Sequence, residues 1–297
     1  EDDRKFILKV ANPDEPFGEI DFQNSILRYV ETRDPTLPVP RIINSKGGHD
    51  IFQITDVDGS QRWVRLLTFL EGTPLDETQS DPHGRVQIGK MLARLRYATE
   101  GFSHENEDRY CGWDVQHLLT LEHLLDEVDN HTQRRALSLG LERFRQVEVK
   151  LRQCRKQVLH NDFSKSNIVV DHDNPAFVTG IIDFGDMINT PLVNDLAVAA
   201  AYQTVKQKDL FVGTCDLLAG YQDEYPLTEA EISLLPGLIV NRIAISLVIS
   251  EWRASEHPEN REYILGSIEK TWDALKDIVT SGYDHSAKEL TDYLKKT

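Results

Sequence analysis

Residues 158–186 read VLHNDFSKSNIVVDHDNPAFVTGIIDFGD, and no other stretch limits the fold as tightly. It holds two short apolar runs, 167–171 and 176–184, separated by His172-Asp173-Asn174-Pro175. A turn cluster between two such runs predicts a hairpin. A hairpin sets the start of its first strand beside the end of its second. Asn167 and Asp183 are therefore expected to face each other, with Asp162 on the loop that feeds the first strand. One carboxylate and one amide oxygen converging in this way suit a hard cation that keeps several waters and binds phosphate oxygens. A second carboxylate nearby is placed to accept a proton from an attacking hydroxyl. The pattern predicts phosphoryl transfer. The plainer alternative is that His160 and Asp162 cap a loop and Asp183 ends a strand.

His160-Asn161-Asp162, Asn167 five positions beyond the Asp, and Asp183-Phe184-Gly185 resemble the H-x-D-x-x-x-x-N and D-F-G signatures of the protein-kinase-like fold. The spellings HND and IIDFGD are more similar to the aminoglycoside phosphotransferase and choline kinase branch, whose members are small-molecule kinases. Each motif is weak alone; three in order on one loop-strand-turn-strand frame are specific. FILKVAN, DFQNSILRYV, GIIDFGDMINTPLVNDLAVAAAY and NRIAISLVISEWRA extend the resemblance over nearly the whole chain and are most similar to the hydroxylysine kinase subgroup.

The resemblance implies a two-lobed α+β fold, with a small N-terminal nucleotide-binding β-lobe (residues 1–70) and a larger, mostly helical catalytic and substrate lobe (71–297). It implies Mg2+ as cofactor and ATP or GTP as donor. The implied acceptor is the hydroxyl of 5-hydroxylysine or a close relative. Aminoglycosides, homoserine, choline and ethanolamine are the alternative acceptors, and a non-catalytic nucleotide-binding domain is the alternative function. A protein kinase is disfavoured because no Ala-Pro-Glu segment follows the D-F-G. In bacteria, similar domains can be fused to a pyridoxal-phosphate aminotransferase-like domain. That would suit a chain that opens on Glu1, directly on a strand, without the glycine loop expected upstream; we read it as a cut fragment, a processed product or a domain of a longer polypeptide.

Roles follow by position within this resemblance. Asn167 and Asp183 hold the metal, Asp162 orients and deprotonates the acceptor, and His160 braces the loop. Lys9 contacts the α and β phosphates. A Glu on the following helix is expected to pair with that lysine, but Gln23 stands at its position; Glu19, one turn earlier, is the other candidate partner. Phe69 and Leu70 belong to the hinge where adenine docks. Asp195, in Pro191-Leu192-Val193-Asn194-Asp195-Leu196-Ala197, is expected to hydrogen-bond the catalytic-loop backbone. For the acceptor, Trp113, Asp114 and Trp252 offer indole faces and a carboxylate suited to an ammonium group. Core packing is the alternative for the tryptophans. Arg242 suits either a two-pronged carboxylate contact or an internal salt bridge. Asp186, just beyond the D-F-G, faces the same cleft.

The remaining elements are read from periodicity and caps. Residues 4–10 form a strand, 17–31 a helix with Phe22, Ile26, Leu27 and Val30 inward, and 51–57 with 62–69 a hairpin turning at Asp58-Gly59. Asp81-Pro82 caps a helix to residue 99, with Val86, Met91, Leu92 and Leu95 inward. Helices are expected at 115–127, 132–153, 193–205, 258–279 and 286–296. Thr228-x-x-Glu231 is a capping box that opens a helix to residue 253. The apolar run 232–249 contains Pro236, Asn241 and Arg242. Burying an Arg at a bilayer centre costs roughly 2.5–3.5 kcal/mol on insertion scales, so this run is expected to be a core helix. The net charge of −16 argues against nucleic-acid or anionic-membrane partners. Three widely spaced cysteines, without a CxxC pair, point to a reducing, cytoplasmic setting.

Overall fold

The computed structural model describes residues 4–204 and 212–281, together with Lys288 and Asp292. Apart from these last two, the helix expected at 286–296 lies outside the described residues. Strand β1 (Phe6–Val10), helix α1 (Phe17–Arg33) and strands β2 (Ile42–Ile43), β3 (Phe52–Thr55) and β4 (Gln61–Thr68) come first. β4 is the hub of an antiparallel sheet: β1 pairs along one edge, and β2 and β3 share the other. The β3–β4 turn places Gly59 at φ 84°, the left-handed backbone that an Asp-Gly hairpin turn uses. α1 buries Phe22, Ile26, Leu27 and Val30, the expected face.

The chain continues with the short strand β5 (Thr73–Pro74), helix α2 (Pro82–Thr99), a 3-10 segment (Val115–Glu127) and helix α3 (His131–Leu151). Strands β6 (Lys156–Leu159), β7 (Ile168–Val170), β8 (Val178–Ile181) and β9 (Ile188–Pro191) follow. Helices α4 (Leu192–Thr204), α5 (Val212–Glu224), α6 (Glu229–Ile232), α7 (Leu235–Glu256) and α8 (Arg261–Ser281) complete the described chain. β7 and β8 form the expected hairpin, with Ile168 opposite Ile181. Its turn is held by Asp171, whose Oδ1 accepts from the N–H groups of Asp173 and Asn174, both at 2.9 Å. Both strands are shorter than their apolar runs: the Asp171 turn takes the inner ends, and the left-handed φ of 62° at Asp183 follows the end of β8.

Two elements differ from expectation. Residues 115–127 wind as a 3-10 segment rather than an α-helix. Side chains there compete for nearby carbonyls: Thr120 donates to the His117 carbonyl at 2.7 Å, and the His123 ring bonds that of Thr120 at 2.9 Å. The Thr228/Glu231 capping box is present in both halves but opens only the four-residue α6. Pro236 lacks the N–H needed to continue it, so the long helix starts afresh at Leu235.

α7 is long and apolar enough to cross a membrane by composition, yet 83% of its apolar window is buried inside the protein. It is the spine of the second lobe, packed by α3, α4, α8 and the 3-10 segment. Packed against α4, α2 and α5 approach each other until their backbones touch. A Cβ on Gly89 would stand 2.1 Å from the Leu217 carbonyl oxygen, and one on Gly220 would stand 2.0 Å from that of Val86. Only glycine fits at either crossing point.

Candidate active site

Two residues flanking the β7–β8 hairpin, one in the loop before β7 and one just after β8, take a backbone conformation that L-residues rarely adopt. Asn161 and Asp183 both have φ 62°; Asn and Asp tolerate this region because their short polar side chains bond locally. His160, fully buried, braces the two. Its Nε2 lies 3.0 Å from the Ile182 carbonyl, its Nδ1 accepts the Asp162 N–H at 3.3 Å, and its ring meets Phe184 edge-on at 5.0 Å. Asn161 N–H donates to Asp195 Oδ1 at 2.8 Å, so Asp195 holds the loop backbone from α4.

Burial pushes the Asp195 carboxyl up to about 6, against the pull of His160 and the Asn161 N–H, and its Oδ2 is buried without a partner. A carboxyl with a pKa higher folded than unfolded costs stability once both states are ionised. That cost is absent below the ordinary value of 3.8 and complete above about 6. By proton linkage it amounts to about 3 kcal/mol. Urea denaturation of Asp195→Asn beside the wild type should show the variant gaining stability, relative to wild type, by up to that amount from pH 4 to 7. A difference that does not change with pH would show that Asp195 is ionised at both ends.

Asn167 closes the loop. Its amide nitrogen donates to the Asp162 carbonyl at 2.9 Å and to Asp162 Oδ2 at 2.7 Å, which leaves the amide oxygen as its free acceptor. Asn167 and Asp183 both line a cavity of about 310 Å³ between the lobes, with Lys9, Phe69 and Leu70 on its walls. Lys9 Nζ meets Asp183 Oδ1 at 3.0 Å. Burial alone would raise the Asp183 carboxyl, but Lys9, His160 and the Gly185 N–H hold it below the usual carboxylate range. Among the described residues no three His, Cys, Asp or Glu side chains gather as a metal cage. One amide oxygen and one ionised carboxylate fit instead a Mg2+ ion that takes its other ligands from water and phosphate.

On its other side Asp162 meets the helical lobe. Its Oδ1 accepts from Arg242 Nη2 at 3.0 Å and from the Tyr202 hydroxyl at 3.2 Å. Arg242 is 2% exposed and also donates to the Trp113 carbonyl at 2.7 Å, with the Trp113 ring 5.3 Å from its guanidinium. Trp113, Tyr202 and Arg242 line a second cavity of about 220 Å³. Asp186 stands nearby; burial and the Asp162 charge raise its carboxyl, while Arg242 and Arg109 oppose them.

Several expected roles do not survive this geometry. Neither Gln23 nor Glu19 partners Lys9. Gln23 Oε1 accepts from Arg65, and Glu19 accepts from Arg109 at 3.3 Å. Arg109 also donates to the Gly185 carbonyl, so Glu19 is tied to the D-F-G turn through an arginine. Of the two readings of Arg242 the internal salt bridge is the one that forms: it pairs with Asp162, with both terminal nitrogens engaged, and is not an open carboxylate clamp. Asp114 is wholly buried, accepting from Gln116 N–H, Thr190 and Asn194; it joins the 3-10 segment to β9 and α4 and cannot meet an ammonium group. Trp252 lies ten residues beyond Arg242 on α7, about 15 Å along the axis, and does not line the cavity.

Tyr202, Arg65 and Arg109 were not singled out from sequence. Tyr202 carried a usable signal: it follows Asp195 by seven positions, two helical turns, which puts both on one face of α4. The arginines carried none, since nothing local marks which strand or loop arginine turns inward.

A model of the phosphotransferase enzyme family matches residues 1–229. The hydroxylysine kinase of Mus musculus is 26% identical over 298 residues, covering 95% of this chain and 79% of that enzyme. The homoserine kinase of Agrobacterium fabrum is 28% identical over 215 residues, 67% of this chain and 58% of that enzyme. Among solved structures, a microcompartment-associated aminopropanol kinase superposes with a TM-score of 0.74 at 19% identity, over 94% of this chain and 87% of that one; this likeness establishes the two-lobed α+β fold. The family match runs from β1 through α5 and takes in the whole His160–Asn167 loop and the β7–β8 hairpin, and on that ground the chain belongs to the phosphotransferase enzyme family.

Proposed function

We propose that this protein transfers the γ-phosphoryl group of ATP or GTP to the hydroxyl of an amino alcohol or hydroxy-amino acid, 5-hydroxylysine or a close relative. One observation carries the reading. Asp162 is hydrogen-bonded on one side to Asn167, in the wall of the 310 Å³ cavity, and on the other to Tyr202 and Arg242, in the wall of the 220 Å³ cavity. A carboxylate between two cavities stands where a donor and an acceptor would meet. The larger volume falls within the roughly 300–1,000 Å³ typical of ligand pockets.

In this reading adenine or guanine docks against Phe69 and Leu70, with the lobe boundary at residues 70 and 71. The exposed Lys9–Asp183 pair is of the kind worth about 0–1 kcal/mol, so its ammonium is readily transferred to a phosphate. Asn167 and Asp183 would hold Mg2+, which when bound neutralises charge on the phosphate oxygens. Asp162 orients the acceptor hydroxyl and takes its proton, while Arg242, Tyr202 and Asn167 fix the carboxylate. Positioning and electrostatics supply the catalysis. Among the described residues Cys111, Cys154 and Cys215 form no disulfide, which supports a cytoplasmic site of action.

A panel of 5-hydroxylysine, homoserine, choline, ethanolamine and an aminoglycoside, scored by nucleoside diphosphate release, tests the acceptor. Turnover is expected to be highest with 5-hydroxylysine. Equal turnover with choline would rule out a hydroxy-amino acid as the preferred acceptor, and nucleotide binding without transfer to any of them would make this a non-catalytic nucleotide-binding domain.

A further inference from the structure

Lys9 and Arg65 lie directly opposite each other on the antiparallel strands β1 and β4, so their side chains leave the same face of the sheet. Like charges so placed repel. Arg65 is 6% exposed, and its guanidinium donates to two neutral amides, Asn24 Oδ1 at 2.9 Å and Gln23 Oε1. Among the described residues no carboxylate hydrogen-bonds it; Glu15 and Asp183 act on it at longer range. Arginine does not escape the cost of burial by losing its proton, and an unpaired buried charge is expensive. Its side chain lines the 310 Å³ cavity and an adjoining one of about 170 Å³ whose walls also include Lys9, Gln23 and Asp183. The charge is thus presented to an anion entering the cleft beside Lys9.

We propose that Arg65 is a second phosphate-binding cation of the nucleotide site, and that Gln23 is a positioning residue that orients Arg65 without neutralising it. This rests on the nucleotide-binding reading above. It also explains the amide at position 23. A carboxylate there would lie against Arg65 and cancel the charge that the phosphate chain needs, whereas an amide aims the guanidinium and leaves it cationic. Lys9 from β1 and Arg65 from β4 then grip the phosphates from adjacent strands, and their mutual repulsion is relieved when the anion binds.

The test is calorimetric titration of wild type, Gln23→Glu and Arg65→Gln with whichever of Mg-ATP and Mg-GTP binds wild type more tightly, and with the corresponding nucleoside. Gln23→Glu is expected to weaken the triphosphate about tenfold, the scale of one charge-assisted hydrogen bond, and to leave nucleoside affinity unchanged. Arg65→Gln should show the same selective loss. Equal or tighter triphosphate binding by Gln23→Glu would put residue 23 on Lys9 and overturn the proposal, as would an equal loss for triphosphate and nucleoside. Should Arg65→Gln lose its fold, seen by circular dichroism, the Gln23→Glu pair of affinities decides alone. Wild type that binds neither triphosphate overturns the nucleotide reading itself, and this inference with it.

Discussion

Replacing Asp162 by Asn is expected to lower kcat by roughly 10²–10⁴-fold, the usual contribution of a positioned general base, while nucleotide affinity stays close to that of the wild type. The amide keeps an oxygen for Arg242 and Tyr202; Asn167 loses its 2.7 Å acceptor, Oδ2, but keeps its 2.9 Å bond to the Asp162 carbonyl. The loop is therefore expected to hold its shape while losing its proton acceptor. Steady-state kinetics on the best acceptor, with calorimetry of the nucleotide, separate the two quantities. Retained turnover would remove Asp162 from the chemistry and leave it as a loop anchor. Weakened nucleotide binding of the same size as the loss in turnover would mean that the loop had moved.

Arg242→Met should act on both stability and rate. The guanidinium is buried to 2% exposure, while the Asp162 side chain it neutralises is 22% exposed. Breaking a buried pair by removing one partner costs about 3–5 kcal/mol. The lower end is expected here, because Asp162 keeps Asn167, Tyr202 and some water. The Trp113 carbonyl loses its donor as well. Turnover is expected to fall about 10²-fold, the penalty for misplacing a catalytic group by about an ångström. Urea denaturation and kcat read the two effects independently. An unchanged midpoint together with unchanged kcat would show that the pair contributes nothing to either.

The hairpin and its three oxygen-bearing residues were legible in the sequence because their geometry is local. Asp162 and Asn167 are five residues apart, their bonds close one loop, and the turn chemistry of residues 171–175 fixes the register that brings Asn167 beside Asp183. Asp195 was legible from its motif and takes the backbone role expected. Helix 82–99 was legible from its cap, since Asp81 accepts the Gly84 N–H. The 3-10 winding of 115–127 and the helix break at Pro236 were not. Both turn on competition for backbone groups that an apolar period does not record.

The partners of the site residues were a different matter. Lys9 meets Asp183 across 174 residues, Arg242 meets Asp162 across 80, and Tyr202 meets it across 40. Arg65 takes Gln23 across 42, and this displaced the pairing with Lys9 expected for Gln23. By itself the sequence determined the loop and hairpin that bring Asp162, Asn167 and Asp183 together, because turn propensities and short spacings act within a few residues and need no knowledge of the rest of the chain. Only the tertiary structure decided which charge faces which. A cation donates to whatever oxygen the packing of distant helices and strands brings within reach, and that outcome is written in no local pattern.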